Sequence, residues 1–199
     1  MTTVGVLHPG AMGAAVGAAL LSAGHDVIWA SRGRSADSRE RALRAGLRDV
    51  NSVEALIATS EMVLSICPPD AAVQVARSAA GLSGIFVDAN AISPATSLQI
   101  RELVGDKYVD GGIVGPPPKH GGTTRLYLSG DSAGWVAERF AGTSLEPRVI
   151  GGVGSIAASA LKMVYSAWTK GSAALLLAIQ QTAAANGVAD ALHDEWKLS

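Results

Sequence analysis

The chain has 199 residues, of which 48% are apolar, enough to fill the core of one full domain and part of a second. Its 16 Lys and Arg residues balance 17 Asp and Glu residues, which argues against nucleic acid or a membrane surface as a partner and favours a small-molecule ligand. The single cysteine, Cys67, excludes an internal disulfide framework and a cysteine-rich metal site, and we expect no metal. Because the chain opens directly on a strand pattern and its longest apolar run is too short to span a bilayer, we expect a cytoplasmic protein.

Short β-branched runs alternate with Ala-rich stretches of helical period, a pattern typical of a parallel sheet with crossover helices. The predicted strands are Thr3–Leu7, Val27–Ala30, Met62–Ile66, Ile85–Asp88, Tyr108–Asp110, Thr124–Ser129 and Arg148–Ile150. The predicted helices are Met12–Ser22, Ala36–Ala45, Val53–Ala58, Ala71–Ala79, Pro94–Val104 and Ala133–Phe140. The pattern therefore predicts an α/β fold, a Rossmann-type doubly wound and mostly parallel sheet.

The character of the sequence changes near Ser155. From there no strand pattern appears, and only Gly171 interrupts one long predicted helix that ends near Asn186 and Gly187. We predict a Rossmann domain over residues 1–153, followed over 154–199 by a long interdomain helix and the start of a C-terminal helical domain.

The stretch "GVLHPGAMGAAVG" predicts a dinucleotide-binding turn between the first strand and the first helix. Gly10 and Gly13 occupy the second and third glycine places of such a turn, where they allow the backbone to approach a pyrophosphate and the helix to pack on the strand. The amides of Ala11 and Met12 open a helix whose N-terminus favours phosphate.

His8 stands where the first glycine is expected, and Pro9 follows it. Both change how the chain leaves the strand, but we expect coenzyme binding to survive. His8 is open to two interpretations, a partly solvated turn residue or a contact to the coenzyme or substrate.

The segment after the second strand reads "WASRGRS". Ser31, Arg32, Arg34 and Ser35 offer two guanidinium groups and two hydroxyls, with no carboxylate before Asp37. This set favours the 2′-phosphate of NADP(H) over the free ribose hydroxyls of NAD(H). The alternative is that the arginines are merely solvated.

Five segments in order resemble the motifs of the β-hydroxyacid dehydrogenases, the family of 3-hydroxyisobutyrate and 6-phosphogluconate dehydrogenases. They are "VGVLHPGAMG", "SICPPDAA", "VDANAISP", "YVDGGIVGPPPKHGGTTRLYLSG" and "GSIAASALKMVYSAW". The likeness is strongest to a branch with a C-terminal helical domain of unknown function.

The resemblance implies roles for two further loops in coenzyme binding. Cys67, Pro68 and Pro69 correspond to the loop under the nicotinamide and its ribose, although Cys67 could simply be packed. The segment Asp88–Pro94 corresponds to a family motif in which Asn90 and Ala91 replace two hydroxyl residues. Asn90 keeps a donor and an acceptor at the crevice where ligands of such sheets bind.

The substrate-binding loop departs from the family. The family's Ser-Gly-Gly segment corresponds to Val114, Gly115 and Pro116, which lack one hydroxyl and one amide donor. A carboxylate anchor for a small hydroxy acid is therefore less certain. Charge could come instead from Lys119, His120 or Arg125.

Lys162 is the strongest catalytic candidate, because its neighbours one turn away are apolar and the family's catalytic lysine corresponds to it. A lysine in such surroundings can give a proton to a developing alkoxide or take one from an alcohol, whereas a solvated lysine is the alternative. Tyr165 stands where the family has asparagine. It shares a helix face with Lys162 and could bind the substrate oxygen or pack between domains.

The resemblance implies an NADP-dependent oxidoreductase acting on a small hydroxy acid or its carbonyl partner, with Lys162 as general acid or base. The alternatives are an enzyme similar to imine reductases, which usually lack this lysine, and a non-catalytic NADP-binding sensor or scaffold. Because the helix of residues 155–186 carries an apolar surface that the short remaining chain cannot cover, we expect a homodimer through it.

Overall fold

The computed structural model describes residues 1–151 and 156–199 of the protein. The chain divides into two compact units, Met1–Lys162 and Met163–Ser199. The described strands are β1 (Thr3–Val6), β2 (Asp26–Trp29), β3 (Arg48–Asp49), β4 (Met62–Ser65), β5 (Ile85–Asp88), β6 (Tyr108–Val114), β7 (Thr124–Ser129) and β8 (Leu145–Val149). The described helices are α1 (Ala11–Ser22), α2 (Ala36–Arg44), α3 (Val53–Thr59), α4 (Ala72–Ser78), α5 (Pro94–Val104), α6 (Ala133–Arg139), α7 (Ala157–Ala185) and α8 (Ala189–Leu198).

The first unit contains a single eight-stranded sheet in the order β3-β2-β1-β4-β5-β6-β7-β8. All neighbouring strands run parallel except β6 and β7, which pair antiparallel. The predicted doubly wound, mostly parallel sheet is confirmed. Its strand order reverses between β1 and β4, and ligands of such sheets bind in the crevice at this point, outside the carboxyl ends of the strands.

Two apolar cores cover the two faces of the sheet, because successive side chains of each strand point to opposite faces. One core joins Val4 and Val6 of β1 to Val16 and Leu20 of α1 and extends to Phe140. The other core is built around Val63, Phe86, Leu56, Val75 and Ile100, so α3, α4 and α5 pack on the opposite face.

Most predicted elements agree with the structure to within a residue or two. Two differ more: β6 continues to Val114, and β8 begins at Leu145. A short 3-10 turn at Pro69–Ala71 precedes α4. Two elements were missed, the edge strand β3 and the helix α8. The predicted helix start at Ser155 and the predicted boundary between residues 153 and 154 lie outside the described residues.

The second unit consists of α8 and the greater part of α7. An apolar groove of about 450 Å³ lies between the two helices and is lined by Ala178, Ile179, Val188 and Leu192. Elsewhere the unit exposes large apolar side chains, among them Trp168 (67%) and Leu175 (63%). Among the described residues, no helix is both long and apolar enough to cross a membrane.

Candidate functional site

The glycine turn connects β1 to α1 at the crevice. A Cβ atom on Gly13 would stand 2.2 Å from the carbonyl oxygen of His8, so only glycine lets α1 begin this close to the turn. Gly10 is the N-cap of α1 and has open space where a Cβ would be, and no side chain caps the helix. Ala11 and Met12 begin the helix as predicted. These features fit a phosphate held by the helix N-terminus.

Arg41 of α2 forms a hydrogen bond with this turn, a role that the sequence did not indicate. Its Nε donates to the carbonyl oxygen of Pro9 at 3.3 Å, and its Nη2 donates to Ser38 Oγ at 3.3 Å. Pro9 itself is buried. The bond fixes the position of Pro9 and so of the turn.

The loop after β2 carries the predicted 2′-phosphate residues. The N–H of Arg34 donates to the carbonyl oxygen of Ser31 at 3.1 Å, which closes a tight turn with Arg32 exposed. Ser31 is buried, whereas Ser35 caps α2 by accepting a bond from the N–H of Ser38 at 3.3 Å. The hydroxyl of Ser35 is therefore engaged in the helix cap.

A carboxylate that the sequence analysis missed lies beside this loop. Asp49 of β3 accepts bonds from the N–H of Ser31 at 3.2 Å and from the N–H of Asn51 at 2.7 Å. Burial alone would raise the pKa of Asp49, but the bonds from Ser31 and Asn51 and the charge of Arg39 lower it. The carboxylate is thus ionised and occupied with backbone N–H groups.

His8 and Arg34 border a cleft of about 340 Å³ whose other walls include Val53, Ala71 and Val75. The Nδ1 atom of His8 and the Nε atom of Arg34 are both buried, and neither has a hydrogen-bond partner among the described residues. Burial, and secondly the charge of Arg34, lowers the pKa of His8 to about 4. Burial also lowers the pKa of Arg34. The imidazole is therefore neutral at pH 7, beside a cationic guanidinium.

The loop after β4 is fixed by a buried network. The N–H of Cys67 donates to Asn90 Oδ1 at 2.6 Å, while Asn90 Nδ2 donates to Ser65 Oγ and Asp88 Oδ2, each at 2.9 Å. Burial raises the pKa of Cys67, so its side chain is a neutral thiol, and Pro68 and Pro69 are exposed. Asn90 is itself buried. It links this loop to β5, and its predicted contact with the coenzyme stays a prediction.

Lys162 lies in the first turns of α7 beside the end of β6. Its Nζ donates to the carbonyl oxygen of Ile113 at 2.7 Å. A Cβ on Gly112 would stand 2.9 Å from the carbonyl oxygen of Ala158 and 3.3 Å from Lys162 Cβ, so glycine allows the helix to lie against the strand. The sequence analysis did not indicate this role of Gly112.

The predicted substrate loop follows at the next residues. Val114 is buried, whereas Gly115 and Pro116 are exposed. Thr124 Oγ1 donates to the carbonyl oxygen of Pro116 at 2.6 Å and so holds the loop against β7. The structure thus brings the ammonium of Lys162 next to the strand end from which this loop leaves.

A second carboxylate missed by the sequence analysis, that of Asp110 in β6, anchors the start of α7. The N–H of Ser159 donates to its Oδ2 at 2.8 Å, and the hydroxyl of Ser159 donates to its Oδ1. Ser97 and Ser129 donate to the same carboxylate at 3.0 and 3.1 Å, and the N–H of Ala158 donates to Ser129 Oγ at 3.1 Å. A buried carboxylate thus binds the amide end of the helix that carries Lys162.

Tyr165 belongs to the second unit, where its ring stacks at a tilt on Trp168 with 5.9 Å between centroids. It is 37% exposed, and its predicted role in catalysis stays a prediction. The described residues contain no group of three or more His, Cys, Asp or Glu side chains placed to hold a metal ion.

Comparison with known proteins identifies the family. Residues 3–135 match the model of the NAD-binding domain of 6-phosphogluconate dehydrogenase. The chain belongs to this family. The resemblance to β-hydroxyacid dehydrogenases is confirmed, and the family domain accounts for the NAD(P)-binding fold.

Individual relatives agree with this assignment. An uncharacterised 28.5 kDa protein of Methanothermus fervidus is 33% identical over 166 residues, which cover 81% of this chain and 63% of that protein. A conserved protein of unknown function, described as structurally similar to 3-hydroxyacid dehydrogenases, superposes with a TM-score of 0.80 at 29% identity, covering 99% of this chain and 76% of its own.

An imine reductase from Pseudomonas sp. shares the fold, with a TM-score of 0.70 at 23% identity and coverage of 98% and 72% of the two chains. The present chain spans less than two thirds of the length of the Methanothermus relative, because the match covers 63% of that protein. A family domain that is this widely shared fixes the fold, while the substrate must be argued from the site.

Proposed function

We propose that this family member is an NADP-dependent oxidoreductase that transfers a hydride between the nicotinamide and a small hydroxy acid or its carbonyl partner. The observation that carries the proposal is the position of Lys162, whose ammonium is held by the Ile113 carbonyl oxygen at the end of β6. A side chain that gives and takes protons thus lies at the carboxyl edge of the sheet, where the family domain places its ligand.

The residues of the crevice fit a dinucleotide. The glycine turn presents the uncapped N-terminus of α1 for the pyrophosphate, and Gly13 permits the close approach that this requires. Arg32 and Arg34 supply positive charge for the 2′-phosphate of NADP(H). The proline pair after Cys67 would fix the loop near the nicotinamide. When bound, the coenzyme supplies the hydride acceptor or donor.

Lys162 then acts on the substrate oxygen. In the direction of carbonyl reduction, its ammonium gives a proton to the developing alkoxide; in the direction of alcohol oxidation, the neutral amine takes the hydroxyl proton. The carbonyl oxygen of Ile113 orients Nζ by accepting one of its hydrogens. Asp110 fixes the helix turn from which the side chain extends.

The test measures the absorbance change of NADPH or NADP with a panel of hydroxy acids, aldehydes and keto acids. We expect Lys162→Ala to lower kcat at least 100-fold, the scale of general acid–base catalysis. The matched control is Lys170→Ala, an exposed lysine further along the same helix, and it should retain activity. Equal turnover by wild type and Lys162→Ala would refute the role of Lys162.

Imine reduction is the second candidate, because the loop after β6 is poor in groups that bind a carboxylate. The side chain of Val114 is buried, and Pro116 has no N–H to donate. A substrate without a carboxylate would not need these donors. Cyclic imines are therefore included in the panel. Tight NADPH binding without turnover of any compound would favour a coenzyme sensor or scaffold instead.

A further inference from the structure

Two residues that line the same cleft each carry a buried polar atom without a hydrogen-bond partner in the described part of the chain. The atoms are Nδ1 of His8, at the carboxyl end of β1, and Nε of Arg34, in the loop after β2. A buried polar atom without a hydrogen bond destabilises a folded protein and is uncommon. Two such atoms, on two residues that line one cleft, indicate a site that a ligand completes.

The cleft is suited to an anion. Its lining includes Arg34 and the uncharged Gln74 and Ser78, and no carboxylate. Asp49 of β3, which lies beside the loop, accepts the N–H groups of Ser31 and Asn51 with its Oδ1. The apolar walls reduce the solvent screening of the Arg34 charge, so an anionic group here would be attracted more strongly than at the surface.

We propose that His8 Nδ1 and Arg34 Nε together bind one phosphate monoester, the 2′-phosphate on the adenosine ribose of the coenzyme. This inference rests on the proposed function and makes His8 a specificity-determining residue. The Nε–H of Arg34 donates to one phosphate oxygen. His8, in the tautomer with hydrogen on Nδ1, donates to another. The imidazole thus occupies the place of a turn glycine and adds a donor that a glycine lacks.

The position of the two residues supports this ligand. In this fold the adenosine ribose lies between the carboxyl ends of the first two strands, and a residue after the second strand reads its 2′ group. His8 follows β1 and Arg34 follows β2. A phosphate bound here also reverses the unfavourable burial of the Arg34 charge, because the two opposite charges are then paired.

The test is calorimetric binding of three coenzyme fragments: adenosine 2′,5′-bisphosphate, adenosine 3′,5′-bisphosphate and adenosine 5′-monophosphate. The 3′,5′ isomer carries the same charge as the 2′,5′ isomer and controls for nonspecific attraction. The variants are His8→Leu, which removes Nδ1, and His8→Asn, whose side-chain amide can place a donor near the position of Nδ1. His193→Leu on α8, an exposed histidine of the second unit, is the control substitution.

We expect the wild type and His193→Leu to bind the 2′,5′ isomer at least tenfold more tightly than the 3′,5′ isomer. His8→Leu should reduce this ratio about tenfold and leave the affinity for the monophosphate within twofold, whereas His8→Asn should restore most of the ratio. An unchanged ratio in His8→Leu overturns the inference. An equal loss of affinity for all three fragments also overturns it, because His8 would then merely support the turn.

A spectroscopic measurement on the wild type keeps the inference testable if His8→Leu does not fold. The imidazole ¹⁵N signals of His8 should shift on addition of the 2′,5′ isomer and not of the monophosphate; equal shifts contradict the assignment. Failure of the inference and failure of the proposed function give different results. If the wild type prefers the 2′,5′ isomer and His8→Leu retains that preference, only the inference fails. If the wild type has no preference, the proposed NADP specificity fails with it.

Discussion

Replacing Asp110 tests how the sheet holds the start of α7. In Asp110→Ala, the hydroxyl of Ser97 can turn to Tyr108 Oη, whereas the hydroxyl of Ser129 keeps only the N–H of Ala158, which is a donor, and loses its acceptor. The N–H of Ser159 has a fixed direction and loses its acceptor. One buried N–H without a partner costs about 1–3 kcal/mol, and the carboxylate at the helix N-terminus contributes up to about 2 kcal/mol. We expect the free energy of unfolding to fall by about 3–5 kcal/mol.

The isosteric variant Asp110→Asn separates the charge from the hydrogen bonds. Its amide oxygen can accept from the N–H of Ser159, while its NH₂ faces the hydroxyls of Ser97 and Ser159, which can turn to accept. The loss should therefore be smaller, about 1–2 kcal/mol. Asp131→Asn, at an exposed aspartate, should change stability by less than about 0.5 kcal/mol.

Urea unfolding monitored by circular dichroism gives these free energies, and hydrogen exchange reports on the helix itself. The amides of Ala158 and Ser159 should lose protection in Asp110→Ala before the rest of the sheet does. A loss of less than 1 kcal/mol, or unchanged protection of these two amides, would refute the view that Asp110 anchors α7.

Three further predictions follow from the coenzyme loop, a buried carboxyl and the second unit. NADPH should bind at least tenfold better than NADH, since each charge-assisted bond to the 2′-phosphate contributes about 1.5–3 kcal/mol, and Arg32→Ala with Arg34→Ala should abolish the preference in a fluorescence titration; a preference that survives both changes contradicts the assignment. Burial raises the pKa of Asp88 to about 7, so the carboxyl group holds its proton more tightly in the folded state than in the unfolded state. The free energy of unfolding should therefore fall as pH rises from about 4 through 7, by about 4 kcal/mol relative to Asp88→Asn. Parallel pH profiles of the two proteins in urea unfolding would exclude this. We also propose a homodimer through α7, so light scattering should give a dimer that Leu175→Glu with Leu176→Glu dissociates; a wild-type monomer at micromolar concentration would disprove it.

The regular part of the fold could be predicted because each element has its own signal. Ser93 before Pro94 marks the start of α5, and its hydroxyl accepts the N–H of Thr96 at 3.1 Å. Strand β3 had no such signal, because it consists of two charged residues, Arg48 and Asp49, at the edge of the sheet. Its position depends on pairing with β2, which is a long-range interaction.

The residues of the site could be predicted where they belong to a sequence motif. They could not be predicted where residues distant in sequence come together only in the folded chain. The glycine turn and Lys162 stand in recognisable patterns. The roles of Arg41 and Asp110 depend on partners 32 and 49 residues away, so no local pattern indicates them. Asn90 was chosen for its polar amide, but three protein groups share that amide, which only the folded chain reveals.

The hydrogen bonds of Asp49 bear on how the coenzyme preference of such a domain could change in evolution. A carboxylate already stands beside the loop that would discriminate between the two coenzymes, but its Oδ1 accepts the N–H groups of Ser31 and Asn51, which holds the carboxylate in its present position. Replacing the arginines removes attraction for a phosphate but creates no acceptor for ribose hydroxyls. A rearrangement of the backbone around Asn51, which has a positive φ of 66°, would allow the Asp49 carboxylate to take a different position. A change of preference from one coenzyme to the other therefore requires a change in the backbone conformation of this loop as well as in its charged residues.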